Sequence, residues 1–133
     1  GGLQCNMGHI QNHIFFTIIT ALLIISDIFL RKAEGQTTPT LTARLVNSTS
    51  HAGVLEVQFN GTWGRVCDDN FNYHGAVVAC RMLGFSSNRA TFFSANLIST
   101  AIESTPIILD DVSCNGNEPT LAQCSHEPFF QHN

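Results

Sequence analysis

The stretch that decides the fold is residues 54–69, which read VLEVQFNGTWGRVCDD. Within residues 54–59 apolar and polar side chains alternate, and this period of two predicts a half-buried β-strand. Asn60-Gly61 follows, and both residues favour the positive φ angles of a two-residue hairpin turn. We therefore expect the segment from Trp63 to Cys67 to return antiparallel to the first strand.

A helical pattern follows between Tyr73 and Leu83. Ala76, Cys80 and Leu83 fall at helical spacing, and the next residue, Gly84, is typical of a helix C-cap. Short strands are also predicted at 43–46 and 107–109. Residues 86–105 show no period and are predicted to form a long surface loop.

The composition limits the class of protein. With 133 residues the chain has room for one domain, and a domain of this size buries only about 60 to 70% of its extended surface, so cross-links would stabilise it. Six basic residues against ten acidic ones give a formal net charge of -4. The basic surplus that a phosphate backbone demands is missing, so no nucleic acid is expected as a partner.

The N-terminal part resembles a targeting segment. Residues 14–30 are mostly apolar, and Ala33-Glu34-Gly35 offers a small-x-small cleavage pattern, so residues 7–35 are interpreted as a signal peptide that starts at Met7. On this interpretation residues 1–6, with Cys5, are upstream translation outside the fold, and residues 36–42 form a linker.

The alternative is a membrane anchor. The apolar run is shorter than about 20 residues and contains Asp27, which is costly within a bilayer. Arg31 and Lys32 follow the run, so the positive-inside rule would leave the next domain in the cytosol, where disulfides do not persist. The cleaved signal peptide is therefore the preferred interpretation.

Four motifs from residue 43 to residue 133 resemble the scavenger receptor cysteine-rich family. They read NGTWGRVCDD at 60–69, AVVACRMLG at 76–84, ILDDVSCNG at 108–116 and CSH at 124–126. Two family positions that hold cysteine in the eight-cysteine subgroup fall near His51 and at Phe85, which places the chain in the six-cysteine subgroup. The resemblance implies an α+β domain in which a small curved antiparallel β-sheet, stabilised by disulfides, cradles one α-helix.

The resemblance also implies how the cysteines pair in disulfides. Without Cys5, an even number remains, and these four could pair among themselves. The family pattern instead implies a bond between Cys114 and Cys124, with the partners of Cys67 and Cys80 beyond the chain end. On this basis the domain at 43–133 is incomplete at its C-terminus. A zinc site is disfavoured because no two cysteines have C-x-x-C spacing.

The resemblance also implies a cation site. Asp68 and Asp69, and then Asp110 and Asp111, match family positions that bind a divalent cation. Calcium takes about 6 to 8 oxygen ligands, so such pairs could form only a weak, open Ca²⁺ site. The alternative is that these carboxylates are merely solvated. Glu118 is a further acidic candidate.

Other candidates have ordinary structural interpretations. Arg65 and Arg81 could bind anions, but pairing with nearby carboxylates is favoured. Trp63 is expected to be packed rather than to stack on a ligand. Asn47 and Asn60 begin N-glycosylation sequons.

The expected function is recognition rather than catalysis. No nucleophile motif, metalloprotease motif or phosphate loop is present in the sequence, so the chain is not expected to be an enzyme. The family implies an extracellular module of a secreted or membrane-anchored parent that binds polyanionic ligands or extracellular proteins through a divalent cation. Two alternatives are an accessory domain at the front of a secreted protease or oxidase, and a calcium-independent protein interaction module.

Overall fold

Six strands and one α-helix form the part of the chain that the computed structural model describes, which is residues 1–6, 40–46, 48–94 and 104–133. The elements are β1 Gly2–Asn6, β2 Thr42–Val46, β3 Ala52–Phe59, β4 Thr62–Val66, α1 Tyr73–Met82, β5 Ser86–Phe93 and β6 Ile107–Leu109, followed by a 3₁₀ turn at Leu121–Gln123. The sheet order is β5-β1-β3-β4-β6, and β2 also pairs with β3. The α+β class is confirmed.

The predicted hairpin is present. β3 and β4 are antiparallel, with Phe59 opposite Thr62 and Gln58 opposite Trp63. Asn60 and Gly61 connect them with φ angles of 49° and 83°. Because both turn residues lie in the left-handed region, the turn matches the twist of the flanking strands.

Helix α1 is held at both ends by local signals. The Asn72 side chain accepts a hydrogen bond from the Gly75 amide at 2.8 Å, and this caps the N-terminus. After the last turn, Gly84 adopts a φ of 77° and ends the helix, as predicted. Ala76, Ala79 and neighbouring small residues are fully buried, so the helix packs closely on the sheet.

The sheet is mixed rather than wholly antiparallel. β4 and β6 run parallel, with Val66 opposite Leu109. Parallel neighbours need a long crossover, and here α1 and β5 lie between the two strands in sequence. The expectation of an antiparallel sheet is therefore wrong at this one pairing.

Residues 1–6, expected to lie outside the fold, form a strand in its interior. Val54 of β3 pairs with Val46 of β2 and also with Gly2 of β1, so β1 and β2 lie on opposite edges of β3. β1 and β4 therefore pair with the same edge of β3, one after the other. At their junction the Gly1 amine donates a hydrogen bond to the Val66 carbonyl at 2.5 Å. Leu3 is fully buried. The strand was missed because its pairing partners are distant in sequence.

The predicted loop at 86–105 is also corrected in its first part. β5 occupies Ser86–Phe93 and pairs with β1, with Phe92 opposite Leu3 and Phe93 opposite Gly2. Within β5 only Ala90 is buried, so the strand shows no alternation that a sequence pattern could detect.

Candidate functional site

The predicted acidic residues reach one edge of the sheet because β4 and β6 are parallel neighbours. Both strands end at that edge, β4 after Val66 and β6 after Leu109. Cys67 directly follows β4, and Asp110 directly follows β6. The Cys67 amide donates a hydrogen bond to the Leu109 carbonyl at 2.9 Å. The register of two strands therefore brings together groups that are more than forty residues apart.

Three side chains converge at this edge. The Cys67 sulfur and carboxylate oxygens of Asp69 and Asp110 lie within 4.8 Å of one another. Asp69 is exposed, whereas Asp110 is only 1% exposed. The Asp110 oxygens accept from the Asp111 amide at 2.9 Å and from the Asn133 amide at 3.3 Å, so the burial of this carboxylate is compensated by hydrogen bonds. We name Cys67, Asp69 and Asp110 the acidic cluster.

The other two predicted ligands point elsewhere. A hydrogen bond with the Ser94 side chain is the main cause that holds the pKa of Asp68 below its usual value. Asp111 accepts a hydrogen bond from the Asn70 side-chain amide at 2.7 Å. The four aspartates therefore do not form a single group.

Cys67 carries the free thiol among the described cysteines. Burial is the largest cause that raises the pKa of its thiol, and the neighbouring carboxylate of Asp110 raises the pKa further. A thiol with a raised pKa stays protonated near neutral pH and is a weak nucleophile.

The partner of Cys80 was predicted to lie beyond the chain end, and this prediction is wrong. Cys80 on α1 is bonded to Cys5 on β1, with the two Cα atoms 5.5 Å apart. β1 passes beside the helix, and both sulfurs are in the core. Cys114 and Cys124 form the second disulfide.

The acidic cluster offers part of a hard-cation site. Two carboxylates could supply a few of the about 6 to 8 oxygens that calcium requires, and water or a ligand would supply the others. The thiol is a soft donor that calcium does not favour. The donor set therefore fits an open, weak calcium site through Asp69 and Asp110 alone.

The remaining charged candidates form hydrogen bonds with backbone groups. Glu118 accepts from the Asn115 and Gly116 amides at 2.8 and 2.9 Å, and these backbone hydrogen bonds, that of Asn115 first, hold its pKa below the usual range. Arg81 donates to backbone carbonyls of the same turn, and Arg65 donates to the Thr105 carbonyl at 3.0 Å. The arginines therefore bond carbonyl groups rather than the carboxylates that the sequence suggested.

A cation–π and ion-pair group on the outer face was missed by sequence reasoning. The Arg44 guanidinium lies 4.0 Å from the ring centre of Trp63 and donates to Glu56 at 2.6 and 2.8 Å. Glu56 is 4% exposed, although the alternation of β3 predicts an exposed side chain. Its cross-strand neighbour Arg44 bonds it; only the β2 register, with Arg44 opposite Glu56, could have signalled this.

Several sequence predictions fall outside the described residues. These are the signal-peptide or anchor segment, the linker apart from its last residues, and Asn47 of the first sequon. Asn60 is described and exposed at the hairpin turn. Among the described residues there is no helix of sufficient length and apolar character to cross a bilayer.

Comparison with known proteins gives one consistent family. The family model for the scavenger receptor cysteine-rich domain matches residues 46–133. A protein of Patiria pectinifera described as a scavenger receptor cysteine-rich domain superfamily protein is 40% identical over 92 residues, which cover 68% of this chain and 8% of that protein. The SRCR domain of mouse MARCO, solved in a dimeric form, matches with a TM-score of 0.51 and 30% identity, covering 81% of this chain and 86% of that chain.

Proposed function

Because the chain belongs to the scavenger receptor cysteine-rich family, we propose that it is an extracellular binding module that recognises polyanionic ligands through a calcium ion at Asp69 and Asp110. Domains of this family are typically non-catalytic and extracellular or cell-surface, and they mediate ligand or protein interactions. The calcium ion, the ligand class and the location of this chain are parts of the proposal.

The observation that carries the proposal is the convergence of Asp69 and Asp110 at the β4–β6 edge. A chain with a formal charge of -4 repels anions on average, so it needs a local positive charge to bind them. A divalent ion bound by two carboxylates would supply that charge, with open coordination positions for sulfate, phosphate or carboxylate groups.

Asp69 is the better position for testing the ion. It is exposed, so its side chain can reach a cation without a desolvation cost, and its replacement leaves the core intact. Asp110, by contrast, accepts two backbone hydrogen bonds, and its replacement would leave both amide donors without their acceptor. The roles of Asp68 and Asp111 are secondary in this proposal, because their side chains bond Ser94 and Asn70.

Calorimetric titration of the full chain with calcium chloride, followed by binding to an immobilised sulfated polysaccharide, tests the proposal. We expect calcium to bind with a dissociation constant of about 0.1 to 1 mM, as in open extracellular sites. Asp69→Asn should weaken calcium and polysaccharide binding about tenfold or more, since it removes a charged ligand. Asp68→Asn is the matched control in the neighbouring residue and should change both much less.

The outcome separates two functions. Polysaccharide binding that survives a chelator and the Asp69→Asn change would contradict the cation mechanism. If instead the chain binds no polysaccharide but binds proteins even in the presence of a chelator, the calcium-independent interaction module is the better description.

Glycosylation of Asn60 accompanies the extracellular proposal. The residue is exposed at the tip of the hairpin, and Thr62 of its sequon is exposed as well, so a glycan could project into solvent. In secretion from eukaryotic cells, we expect Thr62→Ala to lower the mass by one glycan, whereas Thr62→Ser should retain it. Equal masses of the two variants would contradict occupancy of this site.

A further inference from the structure

The chain contains two Asn-Gly pairs, Asn60-Gly61 and Asn115-Gly116. In such a pair the backbone nitrogen of the glycine can attack the side-chain amide of the asparagine, because glycine has no side chain that shields its nitrogen. Asparagine is for this reason among the thermolabile residues of proteins. Both asparagines are exposed in the structure, so exposure alone does not distinguish their reactivity.

The pair at the hairpin tip is open to this reaction. Among the described residues, the Gly61 amide has no hydrogen-bond acceptor. The Gly61 carbonyl accepts one hydrogen bond, from the Gln58 side chain at 3.2 Å. A Cβ atom on Gly61 would meet nothing within 4 Å, so there is room around its nitrogen. Since both turn residues are exposed, a local opening that brings the Asn60 side chain to the Gly61 nitrogen costs little free energy.

The second pair is held by the Glu118 carboxylate. The Asn115 and Gly116 amides donate to its two oxygens at 2.8 and 2.9 Å. The Gly116 nitrogen must lose its proton before it attacks, and a hydrogen bond to a negatively charged acceptor keeps that proton in place. Arg81 bonds carbonyls of the same turn, and a Cβ atom on Gly116 would lie 3.0 Å from a ring nitrogen of His74. This turn therefore has little room to rearrange.

We propose that Asn60-Gly61 is a spontaneous deamidation site of the folded chain, whereas the hydrogen bonds of Glu118 protect Asn115-Gly116. The two pairs have the same local chemistry and similar exposure, and they differ in whether the attacking amide is bonded. The folded structure therefore directs the modification to one of two equivalent sequences.

The reaction consumes water and needs no oxidant or reductant. The Gly61 nitrogen gives up its proton and forms a bond to Asn60 Cγ. The bond from Cγ to Nδ2 then breaks, and ammonia leaves with a proton, so that a cyclic succinimide remains. Water adds to one of the two ring carbonyls and breaks its bond to the ring nitrogen. Opening at Cγ gives aspartate, and opening at the backbone carbonyl gives isoaspartate. One water enters and one ammonia leaves, so the atoms balance.

The two products affect the hairpin differently. Aspartate keeps the turn, since Asp-Gly also favours positive φ angles. Isoaspartate adds a backbone carbon between β3 and β4 and so disturbs the register in which Gln58 lies opposite Trp63. Either product removes Nδ2 of Asn60, the atom that would carry a glycan. This last consequence rests on the proposed function, whereas the reaction itself does not.

Peptide mapping by mass spectrometry tests the proposal on the full chain produced in bacteria, where Asn60 carries no glycan. The folded chain is incubated at mildly alkaline pH, and the replacement of NH₂ by OH is followed in both Asn-Gly peptides. We expect Asn60 to react at least about fivefold faster than Asn115, because a hydrogen bond to a partly exposed charged acceptor is worth about this factor. Isoaspartyl methyltransferase should label the hairpin peptide. Equal rates in the folded chain, a faster Asn115, or an Asn60 that reacts only after denaturation would overturn the proposal.

Variants of Glu118 show whether its carboxylate is the cause of the protection. Glu118→Ala should raise the Asn115 rate at least about fivefold and leave the Asn60 rate unchanged. Glu118→Gln retains one neutral acceptor and should raise the Asn115 rate less, and the exposed control Glu127→Ala should change neither rate.

The reduced and alkylated chain in guanidinium chloride supplies the reference, because both pairs should react there at similar rates. If Glu118→Ala shifts the Asn60 rate to this reference as well, that variant has unfolded, and Glu118→Gln decides. An Asn115 rate that neither variant raises would contradict protection by Glu118.

Discussion

At the scale of single residues, stability depends on how buried charge is neutralised. Glu56 is 4% exposed, and Arg44 is its ion-pair partner. The Arg44 side chain is 45% exposed, so solvent screens part of the attraction. Loss of the arginine would nevertheless leave a carboxylate that is covered and lacks its charged donor.

We therefore expect Arg44→Ala to lower the free energy of unfolding by about 1 to 2 kcal/mol, a value reduced from that of a fully buried pair. Urea denaturation measures it. Arg89→Ala, at an exposed position on β5, is the matched control and should cost less than about 0.5 kcal/mol. Combining Arg44→Ala with Glu56→Ala should recover part of the loss, and a purely additive double variant would contradict coupling.

Glu118 gives a pH dependence at the same scale. Backbone amides, that of Asn115 first, bond its carboxylate and lower its pKa. A lowered folded-state pKa stabilises the protein above the unfolded pKa, and this stabilisation is lost as the pH falls through the folded value. Thermal unfolding should show Glu118→Ala less stable than wild type at pH 7, with the difference shrinking below about pH 4.5. Glu127→Ala is the exposed control; a pH-independent difference would contradict this assignment.

At the scale of elements, the local signals decided what the sequence could predict. The hairpin and the helix were predicted because Asn60-Gly61 and Gly84 determine backbone geometry within a few residues. β1 and β5 were missed because their stabilisation comes from pairing with strands remote in sequence. The two aspartate pairs came from the resemblance, but the different surroundings of Asp69, which lies near Asp110, and of Asp68, which bonds Ser94, could not be predicted because they depend on the tertiary structure.

Gly84 offers a clean measurement of an element boundary. A Cβ atom there would meet nothing within 4 Å, so a substitution acts through the backbone φ of 77° alone. We expect Gly84→Ala to destabilise the fold by about 1 kcal/mol and Gly84→Asn by less, because asparagine tolerates the left-handed region. Denaturant unfolding of both variants tests this, and equal costs would show that φ is not the cause.

At the scale of the whole molecule, the two disulfides contribute unequally. Cys5–Cys80 spans 75 residues and Cys114–Cys124 spans 10. Loop-closure entropy assigns the longer bond about 4.5 kcal/mol and the shorter bond about 2.7 kcal/mol. The long disulfide also secures β1, which joins β5 to the rest of the described sheet.

We expect the pair change Cys5→Ala with Cys80→Ala to lower the unfolding temperature more than Cys114→Ala with Cys124→Ala. Changing both members of each bond avoids leaving an unpaired thiol. Scanning calorimetry under non-oxidising conditions measures both. A larger effect from the short bond would mean that β1 is held mainly by its backbone pairing and by Leu3 rather than by the covalent link.

Because Arg44 stacks on Trp63, the fluorescence of this tryptophan can be used to follow folding. Trp63 is the single tryptophan, so its emission comes from one place, the contact between β2 and β4. A guanidinium over the indole changes that emission only while β2 is docked. Fluorescence therefore follows the β2–β3–β4 half of the sheet, while thiol trapping of Cys5 follows β1, and the assembly times of the two halves can be recorded separately in one refolding reaction.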